Sequence, residues 1–178
     1  VLEHERIPFI SYASEWSQTM LRDAALLHLD LMERLIPLGW TLKDANPANV
    51  QWRLGKPCLI DTASIEPYAR GPWRAYGQFC KTMLFPLYIS AYSGGKSLQP
   101  VLRGYGLKGV DALSASRHLR GIAAFKPGVF VHLKLQAYLQ RMADRRQAHP
   151  AGAEKLNGLV SKVSSEAVLS LIRGLRRT

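Results

Sequence analysis

Residues 42–61 read Leu-Lys-Asp-Ala-Asn-Pro-Ala-Asn-Val-Gln-Trp-Arg-Leu-Gly-Lys-Pro-Cys-Leu-Ile-Asp. This stretch decides the fold, because it joins a polar loop, two short apolar runs and a terminal carboxylate with nothing in between. Val50 to Arg53 and Pro57 to Ile60 predict two strands, with Leu54-Gly55-Lys56 as the turn and Gly55 supplying permissive backbone. Asp44 and Asn49 bracket the loop ahead of them, and Asp61 closes the second strand. Trp40-Thr41-Leu42 predicts a further brief strand leading into the loop.

Outward from this stretch the chain reads as helical. Between Ser14 and Ile36 the apolar residues Leu21, Ala24, Ala25, Leu31, Met32 and Leu35 recur at steps of three and four, which predicts a helix with one buried face. Ser14 or Ser17 is its cap, and Pro37 and Gly39 stop it. His28 lies among leucines with no second ligand at helical spacing, so it reads as a packed or rim histidine. Upstream, Pro8 keeps residues 7–12 extended, and this apolar piece is expected to lie against the part of the chain after it.

After Asp61, the segment Thr62 to Gly71 reads as irregular, broken by Pro67, Gly71 and Pro72. From Trp73 to Ala91, Tyr76, Phe79, Cys80, Met83, Leu84, Leu87 and Tyr88 trace a second buried helix that Pro86 should kink or divide. Its aromatic stripe reads as core. Tyr92 to Gly109 reads as a loop with at most short helical turns. Ser114 or Ser116 is expected to cap a helix to Phe125, broken at Pro127-Gly128. Val129 to Gln147 predicts a long amphipathic helix with Phe130, Leu133, Ala137 and Met142 inward and Arg141, Arg145 and Arg146 outward. His149 to Gly152 reads as a linker, dividing residues 1–149 from a basic C-terminal helix in 150–178. The basic side of that last helix reads as a solvated face, the alternative being a contact surface for something acidic or for a further domain.

With 178 residues and 47% hydrophobic composition, the chain can bury the core of one ordinary domain. It begins with Val and ends in a basic run, Arg173 to Thr178, and so reads as a fragment of a longer chain. No apolar run approaches the roughly 20 residues of a membrane span, and no signal peptide opens the chain. The expectation is a soluble, cytoplasmic protein. Cys58 and Cys80 lack partners at metal-ligand spacing and read as reduced core residues. A formal charge of +11 favours anionic partners without choosing among them. Nucleic acid carries little weight, because the aromatics lie on apolar helical faces and do not alternate with Lys and Arg in loops. Ser64 has no His nearby in sequence to act as its base.

The chemistry best matched to the central stretch is phosphoryl transfer, which needs metal ions held against phosphates and an acceptor held in line. Hard oxygen donors suit Mg²⁺, whose shell is usually completed by phosphate and water. Asp61 at a strand end and Asn49 across the hairpin are candidate metal ligands. Asp44 could accept or orient the proton of a substrate hydroxyl.

The run Asp44-Ala-Asn-Pro-Ala-Asn49 resembles the catalytic loop of the protein-kinase-like superfamily, and Leu59-Ile60-Asp61 resembles the strand that delivers its metal-binding Asp. The short spacing after Asp61 is closer to the aminoglycoside and choline kinase branch. Leu42 stands where most of the superfamily has His, and Thr62-Ala63 follow Asp61 in place of Phe-Gly. The resemblance implies a mainly α fold with a small β-hairpin (α+β), a kinase-like C-terminal lobe without its N-terminal lobe, which either lies upstream of this segment or is absent. It implies Asp44 as catalytic base, Lys43 and Asn46 as nucleotide contacts, Asn49 and Asp61 as metal ligands, and Mg²⁺ with ATP as cofactors. A second resemblance rests on residues 42–51, on Leu59 to Pro67, on Tyr76-Gly-Gln-Phe-Cys80 with Pro86-Leu87, and on Gln99 to Gly104. These look like bacterial nodulation-type proteins that carry a downstream class I S-adenosylmethionine-dependent methyltransferase domain. That resemblance implies a downstream methyltransferase domain as partner. It leaves open a non-catalytic, pseudokinase-like module attached to that domain, and beside it a basic module for an anionic partner.

Overall fold

Ser17 takes extended backbone and accepts a hydrogen bond from the Met20 amide across 3.1 Å, and so starts α1 (Gln18–Leu35), the longest helix among the described residues. In the computed structural model the described residues are Glu3 and 5–92, 98–119, 126–134, 136–137 and 164–177. Leu21, Ala24, Ala25, His28, Leu29 and Met32 form the buried face of α1, the three-and-four spacing expected of a helix against a core. Gly39 then reverses the chain with φ +80°, conformational territory that glycine enters without steric cost.

Four short strands come next. β1 (Trp40–Leu42) leads into the loop, and β2 (Val50–Arg53) and β3 (Lys56–Leu59) form the expected antiparallel hairpin, Val50 opposite Leu59. Leu54 and Gly55 both have positive φ, 49° and 75°, so a two-residue turn joins the strands and Lys56 belongs to β3. Residues 62–71 are not irregular throughout. Ile65–Pro67 make β4, antiparallel to β1 with Trp40 opposite Pro67. Proline is tolerated there because it ends the strand of a two-stranded ladder.

The aromatic helix is one continuous run in three parts. α2 (Tyr76–Phe79) widens into a π turn at Cys80–Leu84 and resumes as α3 (Phe85–Tyr92). Pro86 therefore neither stops nor divides it. Within the wide turn the Phe85 amide bonds back to the Cys80 carbonyl, and Pro86 has no amide to offer. The Lys81 carbonyl is left over, and it accepts from the Val110 amide across 2.8 Å. That contact requires Gly109, at φ +69°, where a Cβ would sit 2.5 Å from the Lys81 oxygen.

The stretch expected to be loop holds α4 (Leu98–Tyr105). Pro100 falls in its first turn, where the missing amide costs no helical bond. α5 (Ala112–His118) is capped by Asp111, not by Ser114 or Ser116; the Asp111 carboxylate accepts from the Leu113 and Ser114 amides and from the Ser114 hydroxyl. A carboxylate outcompetes a hydroxyl at this position because it can accept all three. α6 (Pro127–Val129) opens at the proline that was expected to break a helix, and passes into a second π turn, Phe130–Lys134. The changed register buries Val129, His132 and Leu133 and leaves Phe130 57% exposed, not inward. The expected course of the helix beyond Ala137 and the linker at 149–152 lie outside the described residues.

α7 (Ser165–Arg176) packs on α1. Val168, Ile172 and Leu175 are buried against the core, while Arg173 reaches Glu33 at 2.9 Å and Arg176 reaches Asp30 at 2.6 Å. Each fully buried aliphatic side chain contributes about 1.5–3 kcal/mol, against about 0.2–1 kcal/mol for an exposed ion pair. The apolar face therefore holds this helix, and the arginines set its register. The expected solvated face is only part of the picture: the arginines stay about half exposed, and the acidic contact held as the alternative is made within the chain itself. The architecture is mainly helical with two small antiparallel sheets. Both cysteines are free, Cys80 buried and Cys58 only half-buried.

Candidate functional site

The loop from Leu42 to Ala45 is fastened by its backbone, and the fasteners come from distant parts of the chain. Met32 Sδ of α1 accepts from the Leu42 amide at 3.3 Å. Trp73 Nε1 donates to the Leu42 carbonyl at 2.9 Å. The Lys43 amide donates to the Ser64 carbonyl at 2.9 Å. Gln78 Oε1 accepts from the Ala45 amide at 2.8 Å, and Thr82 Oγ1 donates to the Ala45 carbonyl at 3.2 Å. Gln78 and Thr82 lie one turn apart on the aromatic helix, so a single helical face grips both the amide and the carbonyl of one residue.

Asp44 sits at the centre of this clamp. It is half-buried, and its Oδ1 is buried without a hydrogen-bond partner. Across the loop, Asn46 Oδ1 accepts from the Ala48 amide at 3.0 Å and caps the short turn Pro47–Asn49. That oxygen is committed to the backbone, and Lys43 extends into solvent. Neither of these two residues shows a shaped nucleotide contact.

Asn49 and Asp61 are brought together. The Ile60 amide donates to the Asn49 carbonyl at 2.8 Å, which continues the hairpin ladder by one residue. Asn49 Nδ2 then donates to Asp61 Oδ2 at 3.3 Å. Asp61 Oδ1 accepts from the Ala63 amide at 3.1 Å, so the carboxylate also caps the turn Thr62–Ser64. Among the described residues no group of three or more His, Cys, Asp or Glu side chains forms a metal cluster. The contact runs through the Asn49 amide nitrogen; an amide oxygen and a carboxylate are, as donor types, the hard oxygens that Mg²⁺ takes beside water and phosphate.

A cleft of about 430 Å³ opens beside the loop, lined by Ile10, Tyr12, Pro47, Ala48, Gln51 and Ile60 among others. Gln51 forms one wall. Its side chain accepts from the Ser11 amide and donates to the Ser11 carbonyl, both at 3.0 Å, and this pair of bonds ties the extended N-terminal piece to β2. Trp16 Nε1 adds a bond to Ser11 Oγ at 2.9 Å, and the Trp16 ring meets Trp52 edge-on at 5.7 Å.

Elsewhere, His132 Nδ1 and the Tyr76 hydroxyl lie 2.8 Å apart. Burial lowers the pKa of His132 and raises that of Tyr76, and it pushes the Cys80 thiol up to about 12. These groups stay neutral near pH 7 and support packing.

Sequence reading singled out Asp44, Asn49 and Asp61 and did not anticipate the contacts that Met32, Trp73, Gln78 and Thr82 make with the loop. A faint signal existed for the last two, since Gln78 and Thr82 are polar residues at helical spacing inside an otherwise apolar helix. Nothing local marked Met32 or Trp73.

The site is thus an Asp loop and an Asn–Asp pair on a mainly helical α+β scaffold. The chain is 36% identical over 141 residues to nodulation protein NoeA of Rhizobium meliloti (strain 1021), an alignment covering 79% of this chain and 29% of that protein. The chain therefore spans about 29% of the length of the curated relative it matches. No family model matches the sequence, and no solved structure matches it. Among the described residues no helix is long and apolar enough to cross a membrane.

Proposed function

We propose that this segment is a kinase-like C-terminal lobe that binds a Mg²⁺–nucleotide and takes part in phosphoryl transfer. The observation that carries the reading is the convergence of Asn49 and Asp61 at 3.3 Å beside the clamped loop that carries the half-buried Asp44. Asn49 and Asp61 would hold the metal through their side-chain oxygens. When bound, Mg²⁺ supplies charge neutralisation on the phosphates. Asp44 orients the acceptor hydroxyl and takes its proton. The backbone clamp keeps Asp44 from drifting, which matters because positioning provides most of the catalysis in this chemistry. The apolar cleft beside Ile60 is suited in size and lining to a nucleoside.

On this reading the segment works within a longer bacterial protein, with a second lobe upstream and a methyltransferase domain downstream, in a nodulation setting like that named for its relative. The test is calorimetric titration of ATP with Mg²⁺ into the longer protein that contains this segment. Saturable heat that disappears in Asp61→Ala is the expected result. No heat from the unmodified protein would sink the proposal.

A further inference from the structure

Below the loop, on the α1 side, two buried acceptors lack a donor. His28 is fully buried. Its Nδ1 lies 2.9 Å from the Ala24 carbonyl, and a carbonyl can only accept, so Nδ1 carries the proton and Nε2 is left as a bare acceptor. That Nε2 is buried with no hydrogen-bond partner, as is Asp44 Oδ1.

The fold brings the two residues into one neighbourhood. His28 and Met32 lie one turn apart on a single face of α1, and Met32 bonds the Leu42 amide two residues before Asp44. The face that carries His28 therefore looks onto the stretch that carries Asp44. The Asp44 charge acts on the imidazole, opposing in part the lowering of its pKa by burial. Two buried acceptors in one neighbourhood each need a donor, and one donor can serve both. A single water can do so, giving one O–H to each, and buried waters commonly satisfy such otherwise unpartnered groups.

We propose that His28 is a positioning residue for Asp44, its Nε2 and Asp44 Oδ1 sharing one bridging water that fixes the rotamer of the carboxylate. The role rests on the reading of Asp44 as the proton acceptor, but the pairing does not. With Oδ1 held from below by the water, Oδ2 is the oxygen turned toward substrate. The imidazole stays neutral and moves no proton. It acts only through Asp44.

The experiment uses the full chain labelled with ¹⁵N-histidine, and reads the His28 Nε2 resonance and its cross-relaxation with water. A bridged Nε2 resonates upfield of a bare ring nitrogen, shows contact with a long-lived water, and shifts in both Asp44→Leu and Asp44→Asn. A resonance that ignores both substitutions overturns the proposal. Where Mg²⁺–ATP turnover is measurable, His28→Leu is expected to lower kcat about 10- to 100-fold with KM for ATP unchanged. His28→Gln, whose amide can reach Asp44, should recover most of the loss. Unchanged kcat in His28→Leu, or an equal loss in both variants, overturns the positioning role. A responsive resonance in a chain that transfers no phosphate supports the His28–Asp44 pairing and removes the phosphotransferase reading instead.

Discussion

The loop around Asp44 and the strand end around Asp61 carry the two halves of the candidate site, yet they are held in opposite ways. Bonds around Asp61 are mostly local: Asn49 to Asp61, Asp61 to Ala63, and Ser64 Oγ to the Asp61 carbonyl at 2.7 Å. Around Asp44 they are mostly long-range: Met32 lies only 10 residues before Leu42, but Trp73, Gln78 and Thr82 reach back over 31, 33 and 37 residues. A local arrangement costs little entropy to form and survives small changes elsewhere. A clamped loop inherits the stability of the whole core, and loses its shape when any fastener goes.

Breaking the long-range side should therefore have the larger effect. Gly109→Ala forces a Cβ toward the Lys81 carbonyl and strains positive-φ backbone, which displaces the turn between Gln78 and Pro86. A loss of about 3 kcal/mol is expected from strain and overpacking together, read as a lowered denaturation midpoint with unchanged m-value. Gln78→Leu keeps the volume and leaves the buried Ala45 amide without an acceptor, at a cost of about 2 kcal/mol. Its second signature is faster hydrogen exchange confined to the Asp44 loop.

The local side should yield less. Asp61→Ala removes a cap and the Asn49 contact, and about 1 kcal/mol of stability is expected to go with them, although nucleotide-dependent heat should vanish entirely. A loss as large as that of Gly109→Ala would erase the contrast between the two regions.

The smallest effect belongs to α7, outside both. The hydrogen bond from Arg173, helped by the charges of Arg173 and Arg176, holds the Glu33 carboxylate below its ordinary pKa. A depressed carboxylate contributes stability that is present above the unfolded value and is lost as pH falls through the folded one. Melting curves should therefore show a small acid-side decline that Glu33→Gln abolishes, and that added salt weakens at neutral pH.

Residues with local causes were legible in advance. Trp40–Leu42 matches the expected strand, Ser17 caps α1 as one of two candidates, and the hairpin differs by placing Lys56 in β3 and ending that strand at Leu59, one residue before the expected Ile60. Where the reading went astray, a tertiary partner had overruled a local preference. Pro67 reads as a breaker until β1 lies beside it. Pro86 reads as a kink until a π turn absorbs its missing amide and Val110 takes the spare carbonyl. The stretch before Gly109 reads as loop because its Gly and Pro content hides α4, whose Leu98, Val101 and Leu102 find a core to enter.

By itself the sequence determined the spacing of Asp44, Asn49 and Asp61, the hairpin that pairs the last two, and the buried periodicity of α1 and the aromatic helix. These arise from turn chemistry and side-chain period, which act over a few residues. Only the tertiary structure decided that Met32, Trp73, Gln78 and Thr82 clamp the loop, that His28 is fully buried where the Asp44 charge acts on it, and that the arginines of α7 meet Asp30 and Glu33. Such contacts depend on which faces meet once the core closes, and no residue's neighbours along the chain carry that information.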